Sequence, residues 1–146
     1  MRVLAAVATA GLITVAASAA ADTVASTIQA FGLVGTWSDD CGKPIDHGET
    51  VWRLIFTISN SGIPTRAITI SDADGSVHSY ADVLSASITG EKIRLTLRLT
   101  GGDMKGGPLP MVTTNTFTQD LAKIGGWLRF DDQLLDKCSN PGNSTR

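Results

Sequence analysis

The run EKIRLTLRLT, Glu91–Thr100, decides the fold class. Ile93, Leu95, Leu97 and Leu99 alternate with Lys92, Arg94, Thr96, Arg98 and Thr100, so the apolar positions recur every second residue. A helix would need a period of about 3.6. In a strand, successive side chains point to opposite faces, which gives this run one buried face and one wet face. The basic face reads as solvated surface rather than as an anion-binding stripe.

The same alternation extends in both directions. In TVWRLIFTIS, residues 50–59, Trp52, Leu54, Phe56 and Ile58 fall on one face, and Val51, Arg53, Ile55 and Thr57 on the other. The turn SNSG leads into IPTRAITIS, where Pro64 marks a strand start or a sheet edge because proline cannot donate to the ladder. DADG is a hairpin turn, and SVHSYADV and LSASIT read as the next two strands, closing at TGEK. Beyond Thr100, GGDMKGGPLP reads as an exposed loop, MVTTNTFTQDLAKI as a Thr-rich strand, GGWLRF as a last short strand and DDQLLDKC as a tail. Roughly eight short strands with hairpin-type links make an all-β, antiparallel architecture, a barrel or a sandwich.

The N-terminus has a different chemistry. MRVLAAVATAGLITVAASAAAD joins a basic start (Arg2) to an apolar run from Val3 to about Ala17 and then to small residues, the three parts of a secretory signal. The run is short of the roughly 20 apolar residues that cross a bilayer, so the expected product is exported to the periplasm or the extracellular space and is not an integral membrane protein. Cleavage falls before Ala20 or before Asp22, which makes residues 1–21 the leader. Residues 22–32 then form a short helix capped by Asp22, with Val24, Ile28 and Phe31 on one face, or else an arm leading into a β-domain over 33–146.

The chain has 146 residues, enough for one domain once the leader is removed. Its 12 Lys and Arg against 14 Asp and Glu argue against nucleic acid, which needs clustered bases to neutralise phosphates. Two cysteines are present, Cys41 and Cys138. In an oxidising compartment such a pair reads as a disulfide, and closing so long a loop is worth roughly 4 to 5 kcal/mol in the chain-entropy account.

Two short segments carry a family resemblance: GTW, Gly35–Trp37, near the first strand, and GGWLRF with Arg129 near the end. They resemble the calycin superfamily of lipocalins, fatty-acid-binding proteins, avidins and bacterial metalloprotease inhibitors. The resemblance implies an up-and-down barrel of about eight strands, closed at its base by a last-strand base, Arg129, over Trp37. The early GTWSDDC and late LLDKC are also similar to small exported proteobacterial proteins of unassigned function. The middle of the chain has neither a TDY-like second lipocalin motif nor the basic, hydroxyl-rich carboxylate set of the fatty-acid-binding proteins.

Chemistry-bearing residues are sparse. Asp39, Asp40, Asp46, His47 and Glu49 surround Cys41 without metal-ligand spacing, and His47 and His78 have no G-x-S-x-G nucleophile context. The expectation is therefore a monomeric non-enzyme without cofactor or metal. Trp52, Phe56, Tyr80, Leu95, Leu97 and Phe117 either line an interior cup or fill it as core. Three functions stay open: binding a small apolar or amphipathic ligand, binding a protein as a protease inhibitor does through residues 22–32, and a structural role in the envelope.

Overall fold

In the computed structural model, residues 16–45, 48–104, 107–108 and 115–139 are described. One helix, α1 (Ala16–Ala30), precedes nine strands: β1 (Gly35–Ser38), β2 (Val51–Ile58), β3 (Pro64–Asp72), β4 (Gly75–Thr89), β5 (Lys92–Met104), β6 (Gly107–Pro108), β7 (Thr116–Ile124), β8 (Trp127–Phe130) and β9 (Gln133–Lys137). Neighbouring strands along the chain pair antiparallel except β6 and β7, β5 pairs with β7 instead, and β9 returns to β1. The sheet is thereby closed into an eight-stranded up-and-down barrel, and β6 is a two-residue flap paired only to the end of β5.

The period-2 pattern sets what faces in. Ile93, Leu95 and Leu97 of β5 are fully buried, as are Leu54 and Phe56 of β2, with Trp52 and Ile58 packed against them. The opposite face of β5 is laced by cross-strand ion pairs: Arg94 grips Asp120 with two 2.7 Å bonds, and Arg98 reaches Asp82 at 3.0 Å. Arg94 holds the Asp120 carboxyl below its ordinary range by hydrogen bonding. Both partners are exposed, so the pair fixes register more than it adds stability.

Strand boundaries differ from the sequence reading in three places. SVHSYADV and LSASIT are one 15-residue strand, β4, whose register shifts at Tyr80/Ala81 and Val83/Ser85. Such bulges bend a strand without ending it. The opening of GGDMKGGPLP continues β5 as far as Met104, while residues 109–110 lie outside the described residues. The supposed tail is β9, the strand that closes the barrel, joined to β8 by the two-residue turn Asp131–Asp132. Asp131 has φ 49°, a left-handed conformation that a short polar side chain tolerates.

Helix α1 seals one end. Ala25, Ile28 and Phe31 are buried, and Val24 packs beside them. The helix stops at Gly32, φ 77°, where Gly32 N donates to Gln29 O and Leu33 N to Ile28 O. Those two bonds form a Schellman cap, in which glycine supplies the positive φ. Within the described residues the helix already includes Ala16–Ala21, ahead of the expected Asp22 cap, because this Ala-rich stretch is itself strongly helix-forming. Residues 1–15 of the expected leader lie outside the described residues, and both expected cleavage positions fall within α1.

The barrel closes where β1 meets β9, and this seam has only two register pairs, Trp37↔Lys137 and Ser38↔Asp136. Three other contacts support it. Cys138 N donates to Thr36 O at 2.8 Å, Trp37 Nε1 donates to Leu33 O at 2.8 Å, and Cys41 is disulfide-bonded to Cys138 across 97 residues. Lys137 lies over the Trp37 ring, its Nζ 5.3 Å from the centroid, and donates to Gly32 O. Arg129, the expected base, points outward between buried Leu128 and Phe130. The correction follows from the extra strand: the last strand is β9, so its base is Lys137. Gly35 explains the Gly-x-Trp spacing, since at φ 125° an added Cβ would lie 3.3 Å from the Lys137 stem.

Two outcomes follow for stability. Trp37→Ala removes a buried ring at the seam and should cost about 3–5 kcal/mol, while Cys41→Ser with Cys138→Ser should cost roughly 2–5 kcal/mol; urea unfolding followed by circular dichroism measures both. Lys137→Arg should be nearly neutral and Arg129→Ala within about 0.5 kcal/mol of wild type; a larger loss at Arg129 would contradict the seam described here.

Candidate functional site

The inward face of β3 carries an unexpected residue. Pro64, Arg66, Ile68 and Ile70 share that face by alternation, and Arg66 stands opposite Phe56 on one side and Ala81 on the other, both buried core residues. The guanidinium is thus held inside the barrel, with Arg66 only 4 % exposed. From β7, Phe117 and Gln119 face the same interior, being paired with Leu97 and Leu95.

These side chains meet. Arg66 Nη1 donates to Gln119 Oε1 at 3.0 Å, and Nη2 donates to Ser79 Oγ at 3.0 Å. The guanidinium carbon lies 5.4 Å from the centre of the Phe117 ring, a stacked arrangement that suits a planar, weakly hydrated cation. Arg66 Nε has no hydrogen-bond partner. No carboxylate among the described residues pairs with Arg66. A cavity of about 310 Å³, open to solvent, is lined by Arg66, Phe117 and Gln119, by Thr118 and Asp120 from the outer face of β7, and by Phe130 and Asp131. Phe130 also packs against Trp52 at a ring distance of 6.0 Å.

An isolated charge inside a protein is costly unless paired. Burial lowers the Arg66 pKa to about 10. The sign is that of a cation disfavoured by folding: the penalty is fully present below about pH 10 and is relieved only as pH rises toward the ordinary, higher arginine value of the unfolded chain. Arg66 is charged at every physiological pH.

The other expected candidates divide between wall and core. Trp52, Phe56, Leu95, Leu97 and Phe117 all face inward; Phe56, Leu95 and Leu97 are sealed core, whereas Phe117 is 37 % exposed and reaches the cavity. Tyr80 faces outward, 49 % exposed, because it pairs with Ala67 on β3 and alternates with the inward positions of Ser79 and Ala81, opposite Ile68 and Arg66. His78 is a half-buried strand residue on the outer side, its Nδ1 3.0 Å from Thr69 Oγ1.

The acids around Cys41 build a turn. Asp39 Oδ1 accepts from Trp52 N at 2.8 Å, Asp40 Oδ1 accepts from Gly42 N at 3.0 Å, and Ser38 Oγ donates to Trp52 O at 2.8 Å. Lys43 pairs with Glu49 at 3.4 Å. Asp46 and His47 lie outside the described residues. Among the described residues, no group of three or more metal-ligating side chains converges, and no helix is long and apolar enough to cross a membrane.

The fold and site together define a closed antiparallel barrel in which Arg66, the one buried cation among the described residues, lines a small cavity open to solvent. No family model matches the chain, and comparison with curated proteins and with solved structures finds no similar protein.

Arg66 and its two acceptors were legible in part. Alternation already puts Arg66 in phase with Ile68 and Ile70, and Gln119 in phase with Phe117 and Leu121. A base on an otherwise apolar strand face was the available signal. If Arg66 serves a ligand rather than the fold, Arg66→Met should keep or raise the melting temperature, since it trades a buried charge for an apolar chain of similar length. Differential scanning calorimetry at pH 7 checks this, and a large drop would make Arg66 a structural element.

Proposed function

We propose that the protein is an exported, non-enzymatic barrel, calycin-like in design, that binds a small amphipathic molecule in its interior. The observation that supports this most strongly is the solvent-open cavity lined by the buried Arg66 together with Phe117 and Phe130. Ligand sites are typically concave and mostly apolar with a few convergent polar groups. This one lies at the small end of their usual size range of about 300–1,000 Å³. Export is supported by the leader pattern of residues 1–21 and by the Cys41–Cys138 disulfide, a bond that persists in oxidising compartments.

Residues 22–32, considered above as an inhibitory arm, are docked on the barrel through Ile28 and Phe31. A protease inhibitor acting through them would first have to undock α1, so the ligand reading is preferred.

Native mass spectrometry tests the proposal. The protein is purified without denaturation, incubated with a bacterial small-molecule and lipid extract, and desalted. The expected result is a retained adduct of a few hundred daltons, lost when Phe117→Trp narrows the cavity; no adduct under any condition would overturn it. Sequencing the exported product should show it beginning at Ala20 or Asp22.

A further inference from the structure

One strand outruns its neighbour in the barrel wall. β7 pairs with β5 along Thr116–Ala122, but β8 pairs only with Leu121–Ile124 and then turns away at Asp131–Asp132. β7 reaches α1 with Lys123, whose Nζ lies over the Phe31 ring, so residues 116–120 form the wall at the opposite end. The ladder bonds show which backbone groups face the gap. Leu99 N donates to Asn115 O and Lys123 N to Glu91 O, so the odd-numbered residues of β7 bond to β5. Bonding pairs alternate along an antiparallel ladder. Thr116 and Thr118 therefore direct their N–H and C=O groups to the side where, among the described residues, no strand lies. The cavity of about 310 Å³ is this notch: Phe117, Thr118, Gln119 and Asp120 form one side, Phe130 and Asp131 the other.

We propose that the notch binds the N-terminal end of a short extended peptide, which adds a strand antiparallel to β7. This inference rests on the ligand-binding reading above and names the ligand's class. An unpaired strand edge recruits extended backbone, and two free register positions suit a peptide of about four residues. Its second and fourth residues bond to Thr118 and Thr116. Its first and third lie opposite Gln119 and Phe117, and side chains directly opposite each other share a face, so these two project inward toward Phe117 and Phe130. The space is roughly ten water volumes at ~30 Å³ each. That accommodates two short aliphatic side chains.

Charge sets the direction of the peptide. The notch is blocked at its Asp120 end by the Asp131–Asp132 turn, so the added strand must begin or end there. Arg94 engages Asp120, and Arg66 is buried and held by Gln119 and Ser79. Asp131 lines the cavity and makes no ion pair among the described residues. A carboxylate terminus would meet Asp131 as a like charge, whereas an α-ammonium is attracted to it. With its N-terminus there, the peptide runs from Asp120 toward Thr116, opposite to the direction of β7.

The experiment uses the full disulfide-bonded protein and isothermal titration calorimetry at pH 7. The probe is the tetrapeptide Val-Ser-Val-Ser with an amidated C-terminus. It is compared with its N-acetylated form, with a form N-methylated at the second residue, and with the swapped sequence Ser-Val-Ser-Val. Each of the three should bind about 10-fold more weakly than the parent. Acetylation removes the charge facing Asp131, N-methylation removes the N–H that Thr118 O accepts, and the swap turns the apolar side chains outward. Thr118→Pro should weaken the parent similarly and keep the melting temperature close to wild type, because proline is tolerated where the lost N–H faces away from the ladder. Asp131→Asn should erase the difference between the free and acetylated peptides.

A second readout needs no variant. Amide exchange followed by NMR should be fast at Thr116 and Thr118 and slow at Phe117 and Gln119 in the free protein, and the peptide should slow the first pair. Slow exchange at Thr118 without peptide would overturn the inference by showing the edge already covered. Equal binding of the parent and N-methylated peptides would overturn it too, since no strand would then be added. A dimer that Thr118→Pro dissolves would assign the edge to a second copy and overturn it as well. If no tetrapeptide binds while the bacterial extract still leaves a retained adduct, the peptide inference fails and the ligand-binding reading stands. With neither peptide nor adduct bound, both fail.

Discussion

The seam between β1 and β9 is the constraint on which the rest of the structure depends. An antiparallel meander can remain an open sheet with two exposed edges, which invites pairing with other chains. Closure removes both edges. Here closure is made by the shortest contact in the barrel, two register pairs between a four-residue strand and a five-residue strand. So short a ladder is reinforced by non-ladder chemistry: the Cys41–Cys138 bond beside it, the Trp37 ring beneath it and the Lys137 stem across Gly35. The stretch GTWSDDCGKP is dense with unusual residues because it is one side of that seam.

Much of this was legible in sequence because a period of 2 needs no tertiary information. The inward faces of β2 and β5 follow directly from alternation, Pro64 begins β3 as expected, and the two cysteines pair. What failed were boundaries that depend on how far a strand continues. β4 reads as two strands because the alternation kept through Val83 breaks at Leu84, and only the partner strand, which pairs Val83 with Leu97 and Ser85 with Thr96, reveals that a bulge carries the chain onward. From sequence DDQLLDKC reads as a tail, whereas its residues 133–137 form β9. A pair of Asp between two alternating runs is also a two-residue hairpin turn. Missing it moved the expected closing base from Lys137 to Arg129, a residue on the opposite face.

The site was harder to read than the fold for a related reason. Alternation assigns residues to faces, but it does not say which residues of a closed barrel meet across the interior. Arg66 and Gln119 are 53 residues apart and join only after the sheet curls and closes. An aromatic such as Phe117 reads as interior from sequence, whereas Arg66 does not, because a lone arginine in a strand is ordinarily surface.

The two observations then explain each other. A barrel with few aromatic residues must fill its interior with aliphatic side chains, and β2, β5 and β8 do so around Phe56, Leu95 and Leu128. Introducing Arg66 into that interior works against the same packing, since it leaves an unpaired charge and an open volume where another leucine would fit. A fold held shut by a disulfide and a plugged end can tolerate such a loss without opening. The stapled seam and the α1 plug therefore do more than stabilise the barrel: they permit a polar interior that a barrel closed by two ladder pairs alone would be poorly placed to carry.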